Sequence, residues 1–227
     1  MRANVDLDNF IYTASHDLKA PITNIEGLLG TLADELPATS HVGDVPLVLE
    51  LMHGSVARFK RTLEHLTDIA RLQQQHAQAP TQVGLADVVE DVRQELLPQL
   101  REAGAQLDLV VPADITIRFS AKNLRSVVYN LLSNAIKYRS PDRPALVQLR
   151  CTTTAEHHIL TVADNGLGLE AGREAHLFGL FKRLHTHVEG SGIGLYMVKK
   201  MVENANGRIE VQSQLGHGST FTVYFPR

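Results

Sequence analysis

Asn130-Leu131-Leu132-Ser133-Asn134-Ala135-Ile136-Lys137-Tyr138 carries two patterns at once. Extended upstream, the apolar residues Leu124, Val127, Val128, Leu131 and Ala135 recur in threes and fours and predict a helix over residues 121–137 with one buried face. Asn130, Asn134, Lys137 and Tyr138 fall on a second face, at i, i+4 and i+7/i+8. Asparagine is a mediocre helix former, so two of them one turn apart need a reason. Their amide oxygens can aim at a hydrated Mg²⁺ that already carries nucleotide phosphates. Lys137 can then meet a phosphate, and Tyr138 offers a ring at the pocket's edge. A plain solvated helix face would look similar, so the neighbouring segments have to decide.

Downstream, Asp164-Asn165-Gly166-Leu167-Gly168 directly follows a predicted strand. A carboxylate at a strand end can accept the amino hydrogens of adenine, and the two glycines let backbone approach a ligand. Gly190-Ser191-Gly192-Ile193-Gly194-Leu195 then leads into a helix predicted over 193–204, whose free N–H groups and dipole suit a polyphosphate. Its spacing is neither that of a dinucleotide fold nor that of a Walker A loop. Gly216-His217-Gly218-Ser219-Thr220-Phe221 joins two final strands, predicted at 208–213 and 219–225. Further elements are a helix over 85–102, strands at 106–111 and 116–119, and a hairpin of 146–153 with 159–163 turning around Glu156 and His157. Helices interspersed with mostly antiparallel strands predict an α+β layer of helices on one mixed sheet. His157/His158 at the hairpin tip and His185/His187 lack a metal-ligand spacing and read as solvated.

Upstream the pattern differs. Leu7, Phe10, Ile11, Ala14, Leu18, Ile22, Ile25, Leu28, Leu29 and Leu32 mark one face of a long helix, which Pro21 should bend. Residues 35–45 read as a connection, with a possible N-cap at Asp44. A second helix carries Leu49, Met52, Val56, Phe59, Leu63, Leu66 and Ala70 in the alternation of a coiled-coil seam. Two antiparallel helices cannot bury stripes this long against each other alone. A homodimer, with the two hairpins forming a four-helix bundle, is the expectation. The polar run from Gln73 to Pro80 reads as a linker, so the expected domains are residues 1–76 and 77–227.

The formal net charge is -3 and no run of five or six basic residues occurs, which argues against a chain that mainly holds nucleic acid or an anionic membrane. No stretch approaches the roughly 18 apolar residues of a membrane helix, and no signal-peptide pattern is present. The single cysteine, Cys151, has no internal disulfide partner, which fits a reducing compartment. A cytoplasmic location is expected, in a parent protein either soluble or membrane-attached. A chain that enters a helix almost at once is expected to be part of a longer protein, its catalytic end or an excised piece.

Taken in order, Asn130/Asn134, Asp164 to Gly168, Phe178 to Arg183, Gly190 to Gly194 and Gly216 to Phe221 closely resemble the N, G1, F, G2 and G3 boxes of the histidine-kinase ATP-binding domain. The resemblance covers residues 81–227 and implies the GHKL (Bergerat) α/β sandwich, shared with gyrase, Hsp90 and MutL ATPases. The pocket alone therefore implies ATP binding rather than kinase chemistry. Ser15-His16-Asp17-Leu18-Lys19-Ala20-Pro21-Ile22 looks like the H-box of sensor histidine kinases, and decides between them. His16 also falls about 200° around the helix from Ala14 and Leu18, off the apolar stripe. The resemblance implies a two-component kinase that binds ATP and Mg²⁺, phosphorylates His16 with Asp17 as its adjacent acid, and passes the phosphoryl group to an aspartate on a response-regulator receiver domain. It places nucleotide and metal at Asn130 and Asn134, with nucleotide contacts also at Lys137, Tyr138, Asp164, Gly166, Gly168, Lys182, Arg183, Gly190, Gly192, Gly194, Leu195 and Thr220. Residues 169–189 match the family's mobile ATP lid. In many relatives the fourth residue after the histidine is Thr or Asn, which can position a water against a phosphorylated regulator. Here it is Ala20, whose methyl cannot, so phosphatase activity is expected to be weak.

Overall fold

The computed structural model describes residues 2–36, 44–74, 80–179, 182 and 192–227, with the side chains of 2–17, 61–74 and 175 outside the description. It separates into two units, Met1–Ala77 and Gln78–Arg227.

In the first unit, the two apolar stripes become α1 (Arg2–Glu35) and α2 (Val45–Gln74), packed against each other. The helix α1 continues through Pro21 rather than stopping there. At the start of α2 the Asp44 carbonyl accepts a 2.9 Å bond from the Val48 N–H, and Pro46 sits in the first turn, where its missing N–H costs nothing. Lys60 on α2 donates to Glu26 on α1 at 2.6 Å. The apolar stripes stay largely open. Leu29 is buried, whereas Leu28 is 61% exposed and Leu51 56%. The connection over 37–43 and most of the linker before Pro80 lie outside the described residues.

The second unit opens with β1 (Thr81–Gly84), α3 (Leu85–Ala103), β2 (Gln106–Val110), β3 (Thr116–Phe119) and α4 (Ala121–Lys137). It continues with β4 (Leu146–Thr153), β5 (His157–Asp164), α5 (Glu174–Leu177), α6 (Gly194–Asn204), β6 (Arg208–Gln214) and β7 (Gly218–Pro226). Five strands form one sheet in the order β2-β4-β5-β7-β6, while β1 pairs with β3 in a separate ribbon. Only β2 and β4 run parallel among these pairs, so the sheet is mixed and mostly antiparallel.

Alternation puts Val147, Leu149 and Cys151 of β4, Leu160 and Val162 of β5, and Phe221, Val223 and Phe225 of β7 into the core. The register pairs Leu149 with Val162 and Val162 with Phe221, so these side chains form continuous rows. Helices α4 and α6 lie over them, and α3 packs beside α4. Phe119 meets Phe225 edge-on with ring centroids 5.3 Å apart, which ties the small ribbon to the large sheet. Burial pushes the Cys151 thiol up to about 11.

The β1–β3 ribbon departs from the expected single sheet, and two details of the β4–β5 hairpin also differ from the expectation. The hairpin turns at residues 154–156, because His157 and His158 already belong to β5. Neither histidine is simply solvated: the His158 ring bonds the Thr153 hydroxyl at 3.0 Å, and His157 packs edge-on against Tyr224. Burial, reinforced by the nearby Arg227 charge, holds the His158 pKa below its ordinary value.

Candidate functional site

The chemistry gathers where α4, the end of β5 and the start of α6 meet. The apolar stripe of α4 is buried on the sheet, which turns Asn130 and Asn134 toward the side where α6 begins. The Asn130 amide nitrogen donates back to the Ser126 carbonyl at 2.8 Å, so its oxygen is the end that looks outward. That oxygen lies against Gly194, so closely that a Cβ on residue 194 would run into it. Asn134, one turn on and half-buried, makes no hydrogen bond through its side chain among the described residues. Oxygen donors of this kind, set one turn apart beside a helix N-terminus, fit a hard divalent cation carrying phosphate.

At the end of β5, one oxygen of the Asp164 carboxylate accepts the Gly166 N–H at 2.8 Å and the Ser219 N–H at 3.2 Å. The other oxygen accepts no hydrogen bond among the described residues, which leaves an oriented acceptor for an exocyclic amine. Burial pushes the Asp164 pKa up, against the two backbone bonds and the Arg143 charge, which push it down. The loop that follows is closely packed. Leu167 donates to the Tyr138 carbonyl at 2.9 Å, and a Cβ at Gly166 would collide with that same carbonyl. Gly168 has φ +63°, and a Cβ there would strike the Gln214 carbonyl.

Among the described residues no side chain caps the N-terminus of α6, whose first N–H groups can meet an anion. Gly192 and Gly194 form this entrance, with Leu195 half-buried in the first turn. Lys137 lines a cleft of about 360 Å³ between α3 and α4, with Glu102, Tyr129 and Ser133, and its ammonium also lies over the Tyr138 ring at 5.4 Å. Tyr138 contributes its carbonyl to the loop rather than its ring alone. Lys182 is exposed. Arg183 and Gly190 lie outside the described residues, as do the side chains of His16 and Asp17 on α1 and most of the second half of the 169–189 segment. Within the described part of that segment, Leu169 is buried and the Phe178 ring sits 5.6 Å below the Lys199 ammonium.

Three further residues matter here. Ser219, not Thr220, faces Asp164: its hydroxyl bonds Ser213 at 2.8 Å, while strand alternation puts Thr220 on the other face of the sheet. Asn165 bridges the Leu146 N–H and the Pro144 carbonyl, each at 2.9 Å. Arg143 donates to three carbonyls around the loop. A G-S-T run could have flagged Ser219, since alternate residues of β7 are apolar from Phe221 onward. Nothing in the local sequence announces Arg143.

The family model described as histidine kinase-, DNA gyrase B- and HSP90-like ATPase matches residues 120–227. Beyond it, the likeness extends over nearly the whole chain. The circadian input-output histidine kinase CikA of Synechococcus elongatus is 33% identical over 99% of this chain and 30% of its own length. The methanogenesis regulatory histidine kinase FilI of Methanothrix harundinacea is 28% identical over 98% of this chain and 25% of its own. The chain matches the catalytic core of the sensor histidine kinases.

This kinase core thus spans under a third of the length of these two relatives. Solved structures share its fold. The Acinetobacter baumannii histidine kinase AdeS matches with a TM-score of 0.64 at 22% identity, over 93% of this chain and 97% of that one. Full-length ShkA in complex with AMPPNP matches with a TM-score of 0.68 at 20% identity, over 96% of this chain and 46% of that one. The second unit of the kinase core is accordingly an ATP-binding domain of the GHKL type. No helix among the described residues is long and apolar enough to cross a membrane.

Proposed function

We propose that this chain is the catalytic core of a two-component kinase that phosphorylates His16 from Mg-ATP and passes the phosphoryl group to an aspartate of a response-regulator receiver domain. The observation that carries the nucleotide reading is the Asp164 carboxylate, with one oxygen fixed by two backbone N–H groups and the other accepting no hydrogen bond among the described residues. Adenine would donate its amino hydrogen to that open oxygen, and the polyphosphate would run toward the α6 N-terminus. Asn130 and Asn134 would hold Mg²⁺, which neutralises phosphate charge when bound. Lys182 and Arg183 are the cations assigned to the transferring phosphate, with Lys137 at the far end of α4, and Gly190 completes the phosphate loop.

His16 attacks as the neutral ring. A bond forms from an imidazole nitrogen to the γ-phosphorus, the bond to the bridging oxygen breaks, ADP leaves, and Asp17 holds the ring and accepts its other proton. The aspartate of the regulator then takes the phosphoryl group from nitrogen. Ala20 is exposed one turn beyond His16, and offers a regulator no group that could orient a water. Dimerisation through α1 and α2 is supported by the open apolar residues, among them Leu18, Ile25, Leu28, Leu32, Leu47, Leu51, Met52 and Phe59. We assign residues 1–76 to dimerisation and phosphoacceptance and 77–227 to catalysis, with a sensory module elsewhere in the parent protein.

The test is incubation with ATP labelled at the γ-phosphate. Parent protein should take up label that is lost in acid, and His16→Gln and Asn134→Ala should take up none. Label persisting on His16→Gln, or resisting acid, would show that the phosphate sits elsewhere.

A further inference from the structure

Arg143 lies in the connection between α4 and β4, outside every motif that carried the reading above. Its Nε donates to the Asn165 carbonyl at 2.7 Å, and one terminal nitrogen donates to the Gly166 carbonyl at 2.9 Å and the Gly216 carbonyl at 2.5 Å. The first two belong to the loop after Asp164, and the third to the turn joining β6 and β7. These segments also touch directly, because Gly216 donates to the Leu167 carbonyl at 2.7 Å. Three carbonyl dipoles therefore converge on one spot, and without a donor they would repel one another. A guanidinium suits this spot because it is planar, permanently charged and presents several N–H groups in a fixed fork.

We infer that Arg143 is a positioning residue for nucleotide recognition: by pinning the loop after Asp164 to the β6–β7 turn, it sets where the base-reading carboxylate sits and so sharpens the preference for adenine. This rests on the reading of Asp164 as the group that meets the base. The geometry is transmitted over a short path. Gly166 both yields its carbonyl to Arg143 and gives its N–H to the Asp164 carboxylate, while Ser219, three residues beyond Gly216, gives the second N–H. Loosening the clamp would let both donors drift and the acceptor direction with them. Arg143 touches neither phosphate nor metal in this arrangement, so the chemical step should be spared.

The experiment measures autophosphorylation rates of the full chain against ATP and GTP concentration for the parent, Arg143→Lys, Arg143→Met and Asp164→Asn. For both Arg143 variants the ATP concentration at half-saturation should rise on the order of tenfold, with the saturated rate within about twofold, because only placement has been lost. The preference for ATP over GTP should narrow by a similar factor. Lysine keeps the charge but not the fork, so its failure to rescue separates geometry from electrostatics. Should Arg143→Met not remain folded by near-ultraviolet circular dichroism, Arg143→Lys decides alone. Unchanged half-saturation and selectivity in a folded variant, or a fall in saturated rate at unchanged half-saturation, overturns the inference. Asp164→Asn tells its failure apart from that of the underlying reading: if it too leaves half-saturation and selectivity untouched, the base site itself has been misplaced.

Discussion

Asp164 concentrates the residue-scale logic of the site. In the proposed site its carboxylate accepts an amine hydrogen most strongly when ionised, yet burial favours the neutral form and raises its pKa. Two consequences of opposite sign follow. A raised pKa in the folded state means that this group's contribution to stability is fully present below the unfolded pKa and is lost as pH rises through the folded value. ATP binding runs the other way and should weaken as pH falls through that same raised value. Titrating ATP affinity against pH for the parent and Asp164→Asn cancels the titration of ATP itself, and only the parent should show the acid-side loss attributable to this group. At neutral pH, Asp164→Asn gives up a charge-assisted hydrogen bond worth about 1.5–3 kcal/mol, or roughly 10- to 150-fold in ATP affinity. Gly168→Ala should be harsher on the fold, since a left-handed φ of +63° costs an L-residue about 1–2 kcal/mol before the collision with the Gln214 carbonyl is counted. A lowered melting temperature together with lost ATP binding is the expected pair of readings.

Elements rather than residues govern the proposed dimer. The hairpin of α1 and α2 leaves Leu28 and Leu51 more than half exposed. Burying the exposed part of each such side chain against a second copy contributes about 1–2 kcal/mol, so Leu28→Asp should shift sedimentation of the chain toward monomer while leaving ATP binding unchanged. The same helices show what a sequence can and cannot disclose. Long amphipathic stripes such as those of α1, α2 and α4 repeat often enough for their period to be read directly. The strand β1 is not legible, because Thr81–Gly84 has no alternation of its own and is a strand only through pairing with β3. In the site, Asn130, Asp164 and the glycines were legible because each is an unusual residue for its local setting. Arg143 is not, because its role depends on a distant segment: Arg143 and Gly216 are 73 residues apart. Ser219 is set apart from Thr220 by the alternation that runs from Phe221 onward, which puts Ser219 on the face of β7 toward Asp164.

On the scale of the whole molecule, two units with different dependencies should be separable by heat. Stability of the first unit should rise with protein concentration, as a dimer's does, while that of the second should rise with nucleotide, by about 2.7 kcal/mol at a hundredfold excess over the dissociation constant. Differential scanning at two protein concentrations and two ATP concentrations tests this, and a single transition that follows both variables together would contradict it. Cys151 gives a second handle. The sole thiol of the chain is buried in β4 with its pKa near 11, so a folded molecule offers an alkylating reagent almost no thiolate. The rate at which iodoacetamide marks it then becomes a clock for rare openings of the ATP-binding unit alone, read in the native state without denaturant.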